Sequence, residues 1–149
     1  MNPPTFASLS AARPAIDSLL RDPPLRPRSG TWTTSQICDH LACSIEHSLT
    51  GYPVMRNALI RATIGRIVLR RFLSRGAMSH DRNAHIPGLR LADASMPLET
   101  AVKRLLAAID AFVSFAGTPA PHFVYGPVTH AQYDRLHAMH IADHLGDLA

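Results

Sequence analysis

The sequence predicts an all-α protein, most simply an antiparallel four-helix bundle with one extra helical segment and a long loop. Three observations predict this fold class. Apolar residues recur at helical spacing along the 149-residue chain, two helical stretches begin with capping-box spacings, and no strand-length alternation of apolar and polar residues competes. A chain of this length has the size of one domain, so we expect a single domain over residues 1–149.

The first helical pattern covers residues 5–21 and contains Pro14. Proline removes a backbone donor and crowds the preceding turn, so this helix is predicted to be kinked or to begin in two steps. The stretch 22–30 is rich in proline and is predicted to be a connection.

The second helix is predicted from Thr33 and Gln36, which have the spacing of a capping box. It should run to about Thr50, because Gly, Pro and Tyr at 51–53 end the apolar periodicity. Two cysteines, Cys38 and Cys43, fall in this helix about 140° apart around its axis, so we expect no disulfide between them.

The third helical pattern covers residues 54–75 and stops at Gly76. It is the most apolar region, but arginines interrupt it, so no uncharged run approaches the roughly 20 residues of a membrane span. These arginines are spread around the helix instead of being gathered on one side. They therefore indicate a solvated surface, and we expect neither nucleic-acid binding nor membrane binding.

A long loop is predicted at residues 80–96, where no periodicity lasts. Pro97 begins the fourth helix, which glycine and proline at 117–119 end. A short loop follows at 120–128. Thr129 and Gln132 then repeat the capping-box spacing and begin the last helix.

The overall charge is modestly basic, with 15 Lys and Arg against 11 Asp and Glu. The chain has two cysteines and no N-terminal stretch that joins basic residues to an apolar core, so we expect a cytoplasmic protein. A homodimer is an open alternative for a small bundle with an apolar third helix.

Histidines are the unusual feature, and three of the nine recur on the last helix as His137, His140 and His144. At about 100° per residue they share one stripe of the helix. Neutral imidazole is the commonest protein ligand for metals, and a pair at i and i+4 can reach one ion. Two histidines of this stripe could therefore hold a metal.

A third ligand is expected from a facing helix, because helix bundles build metal sites between helices. His40 is the best candidate, since it borders the apolar face of the second helix. Cys43 lies on the same side and could be a thiolate ligand, although a small buried apolar role is favoured. The remaining histidines are interpreted as surface or satisfied core residues, with His122 left open; they are His47, His80, His85, His130 and His137.

The stretch from Gly30 to Ala42 and the stretch from His122 to Leu145 resemble the DinB/YfiT-like superfamily, and more narrowly a branch catalogued as a domain of unknown function. Members are four-helix bundles that hold a divalent metal with one histidine from the second helix and an H-x3-H pair from the last. The resemblance therefore implies metal ligands at three positions, which are His40, His140 and His144.

The chain departs from this branch at Asp143, where a histidine commonly stands. The change removes no implied ligand. It leaves a carboxylate beside His144 that could instead support a ligand from outside the coordination sphere.

Three protein ligands leave an open position on a tetrahedral ion, which permits chemistry. The superfamily includes thiol-dependent transferases and isomerases, so the resemblance implies a metal-dependent enzyme acting on a small molecule, either a thiol S-transferase or a hydrolase. The alternative is a non-catalytic metal-binding or stress-associated protein. Imidazole ligands suit several metals, of which zinc or nickel is expected first and iron or manganese next.

Overall fold

The computed structural model of the protein describes residues 4–20 and 25–149. Within these ranges the chain is helical and has no β-strand, which confirms the all-α prediction. The end of the first helical pattern, residue 21, and the start of the connection, residues 22–24, lie outside the described residues. The helices are α1 (Leu9–Asp17), α2 (Thr34–Thr50), α3 (Ala58–Ala62), α4 (Ile64–Arg75), α5 (Leu98–Ser114) and α6 (His130–Leu145).

Helix α1 begins in one step, because the side chain of Ser8 accepts a hydrogen bond from the backbone N–H of Ala11 at 3.2 Å. Pro14 lies inside the helix. A 3₁₀ turn, Ser18–Leu20, follows α1. The backbone geometry therefore changes at the C-terminal end of α1 and not at its start.

Both predicted capping boxes are present. Thr33 accepts from the backbone N–H of Gln36 at 3.2 Å, and Gln36 accepts from the backbone N–H of Thr33 at 2.9 Å. Thr129 and Gln132 repeat the arrangement at 3.2 and 3.0 Å. The starts of α2 and α6, the helices that carry the histidines of interest, are thus fixed by residues within one turn.

The third helical pattern is not one helix, which corrects the prediction of a continuous helix over 54–75. Thr63 has φ −119° and ψ −92°, outside the helical region, and separates α3 from α4. On the α4 side, Arg66 donates to the carbonyls of Tyr125 and Pro127. Contacts with a loop distant in sequence therefore help to hold α4 in place after the break at Thr63.

The core lies mainly between α2 and α5, with α1 against α5 and α6, and α6 against α2. Leu105, Ile109 and Phe112 of α5 are completely buried. Arg104 of α5 also joins the two helices, because its guanidinium forms ion pairs with Asp39 and Glu46 of α2. Helix α5 ends at Ser114, earlier than the glycine and proline at 117–119 indicated.

Both cysteines are free, as expected from their positions on α2. Burial raises the pKa of Cys38 to about 12, so it is a neutral thiol at neutral pH. No helix of the described ranges has the length and the hydrophobicity that crossing a bilayer requires.

Candidate metal centre

Four histidines lie together at one end of the interface between α2 and α6. They are His40 of α2, His80 of the loop between α4 and α5, and His140 and His144 of α6. One ring nitrogen of each lies within 4.8 Å of the corresponding nitrogen of every other. Nitrogens bound to one ion at about 2.1 Å are roughly 3.4 Å apart in a tetrahedron and at most about 4.2 Å apart in an octahedron. Side-chain adjustments of about 1 Å would therefore let these four nitrogens share one ion.

The ring positions show how closely the two segments meet. The centroid of the His40 ring is 5.2 Å from that of His140 and 5.5 Å from that of His144. The His80 ring is 4.8 Å from His140 and 5.2 Å from His144. The three histidines singled out from the sequence thus come together, although their role as ligands stays a prediction.

His80 corrects the sequence interpretation, which placed it among surface or satisfied histidines. It lies in the long predicted loop, which has turns and no helix from Ala77 to Met96. No spacing within this loop relates His80 to the histidines of α6. Sequence reasoning missed it because only the folded chain brings the loop back over α6.

Several nitrogens of the cluster have no hydrogen-bond partner among the described residues. Both ring nitrogens of His144 are in this state, and so are both ring nitrogens of His80. His144 is 0% exposed, so bulk solvent does not reach these nitrogens. A buried polar group without a partner costs about 1–3 kcal/mol, and a bound ion would remove part of that cost. The unpaired nitrogens therefore fit a metal ligand set.

Three histidines of the cluster, His40, His140 and His144, are neutral near pH 7. Burial, followed by the neighbouring histidine charges, lowers the pKa of His40 to about 4 and that of His144 to about 3. The same causes hold the pKa of His140 well below its ordinary value. Neutral imidazole keeps the lone pair that a metal needs, so no proton must leave before an ion can bind.

Asp143 holds His80 from outside the cluster. Its Oδ2 lies 2.9 Å from Nδ1 of His80, and its Oδ1 accepts from Arg82 at 3.1 Å. Burial would raise the pKa of Asp143, but its close contact with His80 and the charges of His80 and Arg82 outweigh the effect of burial and keep this pKa below its ordinary value. The carboxylate favours a proton on Nδ1 and leaves Nε2 of His80 for the cluster. This position is compatible with the outer role that the sequence suggested for Asp143, and that role stays a prediction.

Trp32 covers one side of the cluster. Its ring centroid is 5.0 Å from His40 and 6.5 Å from His144, with the latter pair stacked at 10°. The indole is 7% exposed and lies just before α2. At this position the indole shields the imidazoles from solvent.

A cavity of about 250 Å³ opens beside the cluster. Three of the four histidines line it, namely His40, His80 and His140. An ion held by the cluster would therefore face a space large enough for a small molecule.

Most other histidines have hydrogen-bond partners, as expected. Nε2 of His137 is 3.0 Å from the hydroxyl of Ser48, and Nδ1 of His47 is 2.8 Å from the carbonyl of Cys43. His130 contacts the carbonyl of Phe112 in the same way. The Cys43 thiol lies outside the four-histidine group, 3.3 Å from the guanidinium of Arg104, and burial raises its pKa. It is therefore a poor source of thiolate.

The match to a protein family covers nearly the whole chain. The model of a family described as a protein of unknown function (DUF1569) matches residues 3–149. Neither the curated proteins nor the solved structures include a match to this chain. Because the family model covers nearly the whole sequence, including all four histidines of the cluster, the chain belongs to the DUF1569 family.

Proposed function

We propose that the protein binds one divalent metal ion, zinc or nickel, through His40, His140 and His144, with His80 as a fourth ligand. The observation that supports this most directly is the meeting of four imidazole nitrogens within 4.8 Å of one another. The burial of His40 and His144 adds to it, and so do the lowered pKa values of His40, His140 and His144 and the unpaired nitrogens of His144.

We also propose a DinB-like arrangement of the chain, with an antiparallel four-helix bundle. The mutual contacts of α1, α2, α5 and α6 support such a bundle. In this arrangement α1 is one of the four bundle helices, and α3 and α4 form the extra segment, which contacts the loop at 120–128.

The proposed activity is that of a metal-dependent enzyme, with transfer of a low-molecular-weight thiol to an electrophile as the leading reaction. A bound ion would supply Lewis acidity and would hold a thiol as its thiolate. The protein residues would exclude water through Trp32 and keep His80 oriented through Asp143. The cavity beside the cluster supports a small-molecule substrate.

One observation favours a second candidate, a non-catalytic metal-binding protein. The fourth histidine, His80, would complete a tetrahedral zinc site, and zinc sites closed by four protein ligands are usually structural. An octahedral ion such as nickel would keep two positions open with the same four ligands. The metal and the role of His80 therefore decide between an enzyme and a binder.

Elemental analysis of protein purified without a nickel column tests the metal site. We expect roughly one ion per chain after incubation with zinc, nickel, cobalt, iron or manganese, since the cluster provides one ligand set. His140→Ala and His144→Ala should lose it. His47→Ala, which removes a half-buried histidine elsewhere on α2, is the matched control and should keep it. A wild-type protein that retains no ion above background would contradict the proposal.

The same preparations separate the enzyme from the binder. Metal-loaded protein is incubated with glutathione-like thiols and an electrophile such as 1-chloro-2,4-dinitrobenzene. Turnover that requires the ion and disappears in His140→Ala supports the enzyme. A bound ion without turnover, and without a thiol-induced shift in melting temperature, supports the binder.

A further inference from the structure

We propose that the cavity beside the four histidines binds a small organic anion, with Arg56 and His122 as the contacts for its carboxylate and with its apolar body directed towards the cluster. This inference rests on the proposed function and adds the class of substrate to it.

The cavity has the size and the walls for a small, partly apolar molecule. Its volume of about 250 Å³ is below the roughly 300–1,000 Å³ of sites for drug-sized ligands. Met78, Ile86, Phe123 and Val124 form its apolar walls. Such walls favour a carbon chain or a small ring over a sugar or a nucleotide.

His122 offers a hydrogen-bond donor in this cavity. Its Nδ1 accepts from the backbone N–H groups of Val124 at 3.0 Å and of Tyr125 at 3.3 Å, so the ring proton is on Nε2. Burial, together with the charge of His137, lowers the pKa of His122 to about 3, which keeps the ring neutral. In the described part of the chain Nε2 makes no hydrogen bond, and it therefore stays free for a ligand.

Arg56 supplies the positive charge. Its guanidinium forms no ion pair with the described residues, whereas the nearby Arg66 is held by two carbonyls. The backbone N–H of Arg56 donates to the carbonyl of Phe123 at 2.9 Å, which places Arg56 next to the His122 loop. The planar fork of an arginine matches a carboxylate.

The charge of the cavity lining selects an anion. Among the residues that the structure describes, no aspartate or glutamate lines the cavity. Arg56 is the lining residue with a fixed charge. A ligand with a carboxylate at one end and a thiol at the other would place the carboxylate at Arg56 and the sulfur at the proposed metal ion, so both groups would meet a complementary partner.

The experiment uses ω-mercaptocarboxylates of three to six carbons and alkanethiols of the same lengths. They are titrated into cobalt(II)-loaded protein, and the thiolate-to-cobalt absorption band reports the dissociation constant. We expect the best mercaptocarboxylate to bind about tenfold more tightly than the matching alkanethiol, the size of one charge-assisted contact. Arg56→Gln should remove this preference and Arg56→Lys should restore part of it. Arg70→Gln, an exposed arginine of α4 outside the cavity lining, is the control and should leave it unchanged.

Equal affinities for the two series would overturn the inference. So would a preference that survives in Arg56→Gln, because it would come from chelation of cobalt by the carboxylate. The cobalt spectrum without thiol reports the metal site separately. If cobalt does not bind, the proposed function fails and calorimetric titration of hexanoate into the metal-free protein decides the anion site: binding lost in Arg56→Gln supports it, and no binding overturns it.

Discussion

At the scale of the residue, the role of each imidazole depends on the contact that one of its two ring nitrogens makes. That contact decides whether the other nitrogen donates a hydrogen bond or offers a lone pair. In His80 the carboxylate of Asp143 lies 2.9 Å from Nδ1, which favours a proton there and leaves the lone pair on Nε2. In His122 two backbone N–H groups occupy Nδ1, so the other nitrogen is a donor. His137 is bound by Ser48 and lies outside the four-histidine group. One residue type thus provides a candidate ligand, a candidate substrate contact and a core hydrogen bond.

Replacing the carboxylate that holds His80 tests this view. Asp143→Asn keeps the shape but loses the charge that favours a proton on Nδ1, so His80 should adopt other tautomers and orientations. We expect metal affinity to fall by roughly 10- to 100-fold, the usual effect of losing such an outer partner. Competition with a chromophoric chelator measures it. Asp110→Asn, which alters an exposed carboxylate on α5, is the control, and equal losses in both variants would argue against a specific role for Asp143.

At the scale of the element, local capping fixes where α2 and α6 start, and contacts between elements fix how the cavity wall is held. The wall formed by residues 120–128 lies against α4. Gly65 makes this approach possible, because a Cβ at that position would be 2.0 Å from the carbonyl oxygen of Val124. Val124 in turn donates its backbone N–H to His122. The glycine on α4 therefore supports the orientation of a side chain in the cavity.

Gly65→Ala should consequently destabilise the protein although alanine is the better helix former. The added methyl group must displace backbone, and we expect the free energy of unfolding to fall by about 1–3 kcal/mol. Urea unfolding followed by circular dichroism measures the change. Ser74→Ala, a small exposed substitution on the same helix, should change stability by less than about 0.5 kcal/mol. An unchanged or raised stability of Gly65→Ala would show that α4 does not press on Val124.

At the scale of the whole molecule, the fold buries several histidines as neutral groups. Burial lowers the pKa of both His122 and His137 to about 3, well below the ordinary 6.5. Between these values the unfolded chain binds more protons than the folded protein. The stability that depends on these groups is therefore complete above about pH 6.5 and is lost progressively as the pH falls towards 3.

The metal-free protein should show this dependence directly. From about pH 6 downwards, each of these two histidines should lower the free energy of unfolding by up to about 1.4 kcal/mol per pH unit. Urea titrations in the presence of EDTA at pH 7, 6 and 5 measure the slope. His137→Gln keeps a hydrogen-bonding group beside Ser48 but cannot titrate, so its slope should be smaller. The same slope in wild type and variant would contradict the burial of a neutral His137.

The sequence by itself determined the features that depend on neighbours within a few residues. The two capping boxes, the start of α2 and α6, and the placement of His140 and His144 on one stripe are of this kind, because helix geometry relates residues one turn apart. The meeting of His40 with that pair followed from the family resemblance, and the tertiary structure agrees with it.

Only the tertiary structure decided the features that join distant segments. His80 enters the cluster because its loop returns over α6 and is held there by Asp143 and Arg82. The break at Thr63 and the cavity wall at 120–128 depend on contacts of α4 with residues far along the chain. Neither loop has a periodicity that relates it to a partner, since the energy that places them comes from packing and hydrogen bonds formed after the helices assemble.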